Sequence, residues 1–194
     1  MDRSTCLHWR SRNHLQPFDR FWLRWTPAWR SAAACLALLL SIGFAQAERT
    51  DVRGMSVACI LDQEARHGFP FGLLLAIAKT ESSLNWRAYN SNRNGTSDIG
   101  IMQINSIHLP RLQRMGITPE KLWHPCVNAA VGAMILREFV DRHGMNWSAV
   151  AAYNTGNPRT RPTAAMRYVA RVHAHHERIL RSRTAWLATY GGAS

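Results

Sequence analysis

Glu81 is the residue of this chain best placed to do chemistry, because it stands at the C-terminal end of the most apolar predicted helix, whose body runs over 71–78. Burial against Leu74, Ile77 and Ala78 disfavours the ionised carboxylate, and the negative end of the helix dipole disfavours it again. Both effects push the pKa upward, which is what a general acid needs if it is to arrive protonated near neutral pH. Position alone does not decide the matter, since a glutamate that ends a helix is usually solvated. Asp98, 17 residues further on, supplies a second carboxylate to account for.

Two short blocks follow, Gly100-Ile101-Met102-Gln103-Ile104-Asn105 and Ala151-Ala152-Tyr153-Asn154-Thr155-Gly156. Gly100 lets a backbone approach a ligand closely, Met102 and Gln103 offer an apolar face and an amide, and Tyr153 can donate to a carboxylate. Met102 and Ile104 fit an ordinary core equally well, whereas an amide between two apolar neighbours is harder to assign to packing.

Glu81-Ser82-Ser83-Leu84-Asn85 and these two blocks, in this order and at about these spacings, resemble the soluble lytic transglycosylase (SLT domain) family over roughly residues 56–180. The resemblance implies a lysozyme-like fold, glycan strands of peptidoglycan as substrate, and no cofactor or metal. It implies that Glu81 is both acid and base, that the block from Gly100 to Asn105 lines the glycan groove, and that Tyr153, with Asn154 beside it, approaches Glu81 through its hydroxyl. Asn90 falls where relatives have a Ser or Asn that contacts the acid. Tyr168 stands where the family has a tyrosine in its last helix and joins the substrate-binding set. Ala164 replaces the acidic residue that larger members carry upstream of it, which leaves a hydrogen bond from this helix to the active site unsupported. The likeness is closest to the small single-domain members that accompany type III and type IV secretion systems and conjugation machines. Those also carry one cysteine on the first helix and another in a Pro-Cys-x-Asn segment, as Cys59 and Pro125-Cys126-Val127-Asn128 do here. Local opening of the wall for such an apparatus is the implied role, with its components as partners.

The number of carboxylates decides the reaction. Two that flank a glycosidic bond hydrolyse it. The transglycosylases manage with one, which protonates the leaving oxygen and then assists the muramic acid's own 6-hydroxyl in closing on C1, so the product is a 1,6-anhydro sugar. Asp98 is read either as a loop cap on nearby backbone N–H groups or as a second carboxylate that stabilises oxocarbenium-like charge. The second reading makes the chain a hydrolytic lysozyme-type muramidase. A third option is a non-catalytic peptidoglycan-binding assembly protein.

The elements that must position these residues read as mainly α, a single domain of about six to seven helices with at most a small β-hairpin. A first helix over 56–67 carries Val57, Ile60, Leu61 and Glu64 at helical spacing and stops at Gly68; Pro70 opens the second. The polar stretch 90–98 is a loop or hairpin leading into 99–104. Short helices are expected over 110–115 and 119–122, a long one over 125–143 ending at Gly144, another over 147–153, and a last one over 162–180. That last helix puts Met166, Val169, Val172, His176 and Ile179 on one side.

Residues 1–47 read as a signal peptide with a long basic n-region: six arginines precede the apolar run 32–44, which ends in Ala45-Gln46-Ala47. Cleavage after Ala47 leaves a catalytic domain over 48–194, exported to the periplasm, expected to be a monomer, and touching the membrane only through its export signal. An uncleaved anchor is the alternative. The remaining 18 Lys and Arg against 10 Asp and Glu give +8, which suits an anionic cell wall. The basic residues are scattered and no nucleic-acid motif accompanies them, so nucleic acid is not an expected partner. Removal of Cys6 and Cys35 with the leader leaves Cys59 and Cys126, expected to pair in an oxidising compartment, with two buried free thiols as the alternative. His173, His175 and His176 read as a helix face rather than a metal cluster. Trp86, Trp123 and Trp147 fit either sugar stacking or packing.

Overall fold

The computed structural model describes Val52 and residues 54–190. The chain divides after Ala47 into two units, and these residues all belong to the second, Glu48–Ser194. The expected signal segment 1–47, with its cut after Ala47, lies outside the described residues.

Six α-helices and a small sheet make up the described part. Helix α1 (54–67) stops at Gly68, where φ is 64°. Pro70 to Gly72 form a turn, and α2 (Leu73–Ser82) follows with Leu73, Leu74, Ala76, Ile77 and Ala78 buried, so the most apolar segment is also the central one. The sheet comprises β1 (Tyr89–Ser91), β2 (Ser97–Ile99) and β3 (Ile104–Asn105), antiparallel in that order. The third strand goes beyond the hairpin expected from the sequence; at two residues it is too short to leave an alternating pattern. A 3₁₀ turn (Ser106–His108) leads into α3 (Leu109–Arg114), and a second one (Lys121–Trp123) replaces the short helix expected over 119–122. Then come α4 (Pro125–His143), α5 (Trp147–Thr155) and α6 (Pro162–Tyr190). No described helix is long and apolar enough to cross a membrane.

The core joins α2 and α4 to the sheet and to α6 through Leu74, Ile77, Ile101, Met102, Leu136 and Val172, all fully buried. On α6 the inward stripe is Ala165, Tyr168 and Val172, whereas Met166 is 67% exposed. The buried face is thus rotated from the expected one by about one residue, because a tyrosine rather than a methionine fills the interior. That helix also runs ten residues further than expected, to Tyr190.

Cys59 on α1 and Cys126 in the first turn of α4 form a disulfide across 67 residues of sequence, with Cα atoms 5.1 Å apart. In the loop-entropy picture a link of this span is worth about 4 kcal/mol. Glu64, also on α1, reaches the start of α2. Its two carboxylate oxygens accept from Gly72 N at 2.8 Å and Leu75 N at 3.0 Å, satisfying helix-terminal donors that have no intrahelical partner.

Candidate active site

Glu81 sits in the last turn of α2, at the floor of a cleft of about 970 Å³. Two features hold it there. Ser82 Oγ donates to Ile101 O at 2.8 Å. Ser83 and Leu84 follow with φ of 55° and 65°, turning the chain sharply off the helix. Two successive non-glycine residues in the left-handed region cost on the order of 1–2 kcal/mol each, strain of the kind that collects at functional sites.

Among the described residues the carboxyl of Glu81 has one side-chain donor. Tyr168 OH, from the buried face of α6, lies 2.5 Å from Oε1. Burial drives the Glu81 pKa up from 4.5 to about 7; the Tyr168 bond opposes this, the charge of Asp98 adds to it, and the Arg171 cation opposes it. Tyr168 and Tyr153 are both pushed well above the ordinary phenol range, first by burial and then by the Glu81 charge, so both remain donors. A half-protonated carboxyl in an open polar groove can give a proton to a leaving oxygen and then take one back.

The facing wall is the sheet. Its register puts Asn90, Asp98 and Asn105 side by side on neighbouring strands, so their side chains share one face, while Ile99 and Ile104 share the core face. Asp98 accepts from Asn105 at 2.6 Å, Asn92 at 3.0 Å and Asn90 at 3.3 Å. It is therefore neither in a loop nor a cap on backbone N–H groups; side-chain amides hold it in the wall of the cleft.

Asn90, Asp98, Gln103, Asn105, Tyr153 and Asn154 all line the cleft with Glu81. Gln103 adopts φ of 49°, and its Nε2 is tied to Gly100 O at 2.9 Å and Ala88 O at 3.3 Å, which fixes the amide at the rim. Tyr153 does not donate to Glu81; its hydroxyl bonds Met102 O at 2.9 Å. The donor to the carboxylate is Tyr168, so the bond from the last helix exists without an acidic residue at 164. Tyr168 itself does not line the cleft; it backs the acid.

Gly100 and Met102 are buried and face inward. At φ of 78° a Cβ on Gly100 would stand 2.3 Å from Asn128 Nδ2, so glycine is required by close packing against the protein itself rather than by approach to a ligand. The Met102 side chain fills the notch at Gly132 of α4, where a Cβ would stand 2.8 Å from its Cγ. Trp86, Trp123 and Trp147 lie elsewhere: Trp86 under Arg87, Trp123 against Tyr89, and Trp147 against His173 and His176.

Asn128, fully buried on α4, is a residue whose work the sequence reading missed. Its Oδ1 accepts from Met102 N at 2.8 Å, and its Nδ2 donates to Leu122 O at 2.8 Å and Ile99 O at 2.9 Å. One amide thus fixes the turn from Gly100 to Gln103 that connects β2 and β3. The signal was a polar residue in the middle of an apolar helix face. Arg161 and Arg171, which also line the cleft, were missed because scattered arginines in a basic chain carry no pattern.

The helical core, small sheet, disulfide and single glutamate under a tyrosine define a glycan-cleaving domain of the lysozyme-like class. The transglycosylase SLT domain model matches residues 58–172, and the chain belongs to that family; it is a peptidoglycan lytic transglycosylase. It is 38% identical over 122 residues to "Invasion protein IagB" of Salmonella typhi, covering 62% of this chain and 76% of the relative. To "Protein IpgF" of Shigella flexneri it is 41% identical over 115 residues, 59% of this chain and 76% of the relative. To "Peptidoglycan-binding-like protein" of Escherichia coli O157:H7 it is 30% identical over 132 residues, 64% and 79% of the two chains.

Proposed function

We propose that Glu81 protonates the glycosidic oxygen between N-acetylmuramic acid and N-acetylglucosamine, and as glutamate then assists the muramic 6-hydroxyl in closing on C1. The product is a 1,6-anhydromuropeptide, and no water is consumed. The observation that carries this reading is a Glu81 carboxyl with a pKa of about 7 in the cleft. Tyr168 orients it, and the amides of Asn90, Gln103, Asn105 and Asn154 offer donors and acceptors to the N-acetyl and hydroxyl groups of the sugars.

A second reading is favoured by one observation: Asp98 faces the same cleft, and its charge bears on Glu81. With Asp98 stabilising oxocarbenium-like charge and water as acceptor, the products would end in reducing sugars instead. Mass spectrometry of muropeptides released from purified sacculi separates the two, since each anhydro product is lighter by one water. Anhydro ends from the wild-type enzyme and none from Glu81→Gln are expected; reducing ends alone would replace the first reading with the second.

The enzyme acts in the periplasm, after export on the leader that ends at Ala47. The apolar run before Ala45-Gln46-Ala47 and the Cys59–Cys126 bond, of a kind made in oxidising compartments, support this. Local opening of the wall for a secretion or conjugation apparatus is the role we assign, supported by the likeness to a protein named for invasion. A fusion of residues 1–60 to a reporter active only outside the cytoplasm tests the export step; a silent fusion would overturn it.

A further inference from the structure

The two walls of the cleft differ in charge. The strands of the sheet wall present neutral amides and one carboxylate, Asp98, already engaged by three of them, and the turn between β1 and β2 adds a single cation, Arg93. The helical wall carries Arg161, just before α6, and Arg171 within it. Both residues are exposed, and neither guanidinium is paired with a carboxylate among the described residues. Arg171 is held over the ring of Tyr168, with Cζ 5.7 Å from the centroid, and Tyr168 is the residue that bonds Glu81. A cation therefore stands next to the reacting carboxyl.

Two unpaired guanidinium groups in a binding groove call for anions. The sugar backbone of peptidoglycan carries only hydroxyl, ether and N-acetyl groups, so it matches the amide wall and leaves the arginines unmatched. The negative charge of the polymer lies on the carboxylates of the peptide stem, which hangs from the lactyl ether of muramic acid. If Glu81 acts at muramic C1, the stem of that same sugar is the anion nearest Arg171.

We propose that Arg161 and Arg171 form a subsite for stem-peptide carboxylates, making the enzyme selective for peptide-bearing strands over uncharged ones. The inference rests on the reading of Glu81 as the acid that cuts at muramic acid. Pairing of Arg171 with a stem carboxylate also weakens the pull of its cation on Glu81, which favours the protonated acid in the complex.

The test compares kcat/KM on soluble peptide-bearing glycan with kcat/KM on the same glycan after its stem carboxylates are converted to amides, at low ionic strength. Wild-type enzyme is expected to prefer the carboxylate form by about ten-fold, with R161Q and R171Q each lowering that preference about three-fold and the double variant abolishing it. Because a ratio is read, a general effect of Arg171 on the acid cancels. R137Q removes a charge on α4, where Arg137 pairs with Asp141, and should leave the preference intact. Equal cleavage of both glycans by wild type, an unchanged preference in the double variant, or an equal loss in R137Q would overturn the subsite. Cleavage of neither glycan by wild type would instead overturn the reading of Glu81, and the subsite with it.

Discussion

A glutamate meets each end of helix α2, Glu64 reaching over from α1 and Glu81 in its own last turn, and the fold treats the two oppositely. Glu64 meets the N-terminal end, where free N–H groups and the positive end of the helix dipole favour a carboxylate. It is 3% exposed, yet both its oxygens are filled by backbone donors. Burial raises its pKa, and those donors push back. Glu81 meets the C-terminal end, where the dipole opposes ionisation, and it has a single phenol as side-chain donor. Burial there is opposed far less, and the carboxyl titrates near neutrality. The same kind of side chain is a structural fastener at one end of α2 and the proposed proton donor at the other. What separates them is the donors each finds and the end of the helix dipole each meets.

The sharpest way to break that comparison is to make both carboxylates into amides. Glu81→Gln should lower turnover on sacculi by about a thousand-fold, the usual scale for loss of a general acid, while the protein folds normally. Glu64→Gln should keep turnover per folded molecule within a few-fold. Comparable losses from the two would end the distinction. Next in size is stability: Glu64→Ala leaves two buried donors unanswered and should cost about 3 kcal/mol, read by urea or thermal unfolding.

The pH dependence carries a definite sign. The folded pKa of Glu81 lies above its ordinary value of 4.5, at about 7, so the fold favours the protonated form. Its contribution is fully present below about 4.5 and is lost as pH rises through about 7, by roughly 3 kcal/mol in all. Wild type should therefore lose stability relative to Glu81→Gln across that window, and activity should fall on the alkaline side of about 7. Parallel unfolding curves for the two proteins from pH 5 to 8 would contradict this. The smallest effects are opposed shifts of that alkaline limb. Asp98→Asn removes a charge that raises the Glu81 pKa and should move the limb down; Tyr168→Phe removes the donor that lowers it and should move the limb up. Limbs that stay in place would detach both residues from the acid.

Much of this was legible from residue order. Pro125 and Gly144 bracket α4 as a proline start and glycine stop should, and Glu81 was conspicuous because a carboxylate ended the most apolar helix. The pairing of Cys59 with Cys126 was expected once Cys6 and Cys35 were set aside with the leader, against two free thiols as the alternative, and the structure forms the bond. The tyrosines were harder. Tyr153 and Tyr168 both lie near Glu81, and which hydroxyl reaches it depends on how α6 is rotated, which a mixed apolar and polar helix leaves open by one residue. Gly100 and Met102 read as cleft residues because their neighbours are, yet β2, the tight turn and β3 turn them into the core. Asn128 and the arginines of the cleft act through partners distant in sequence, and no local pattern encodes those.

The bond between Cys59 and Cys126 also governs what happens when α1 opens. Proteins open locally far more often than they unfold as a whole. Here α1 cannot drift: tied to α4, it stays at high local concentration beside its docking site and recloses quickly, bringing Glu64 back to Gly72 and Leu75. Cleavage by a protease follows the population of the opened form when reclosing is fast. The link therefore works as a guard against degradation: in the oxidised enzyme the segment around Gly68 to Phe71 is open for a smaller fraction of the time, and the lifetime of the enzyme is set partly at a distance from its active site.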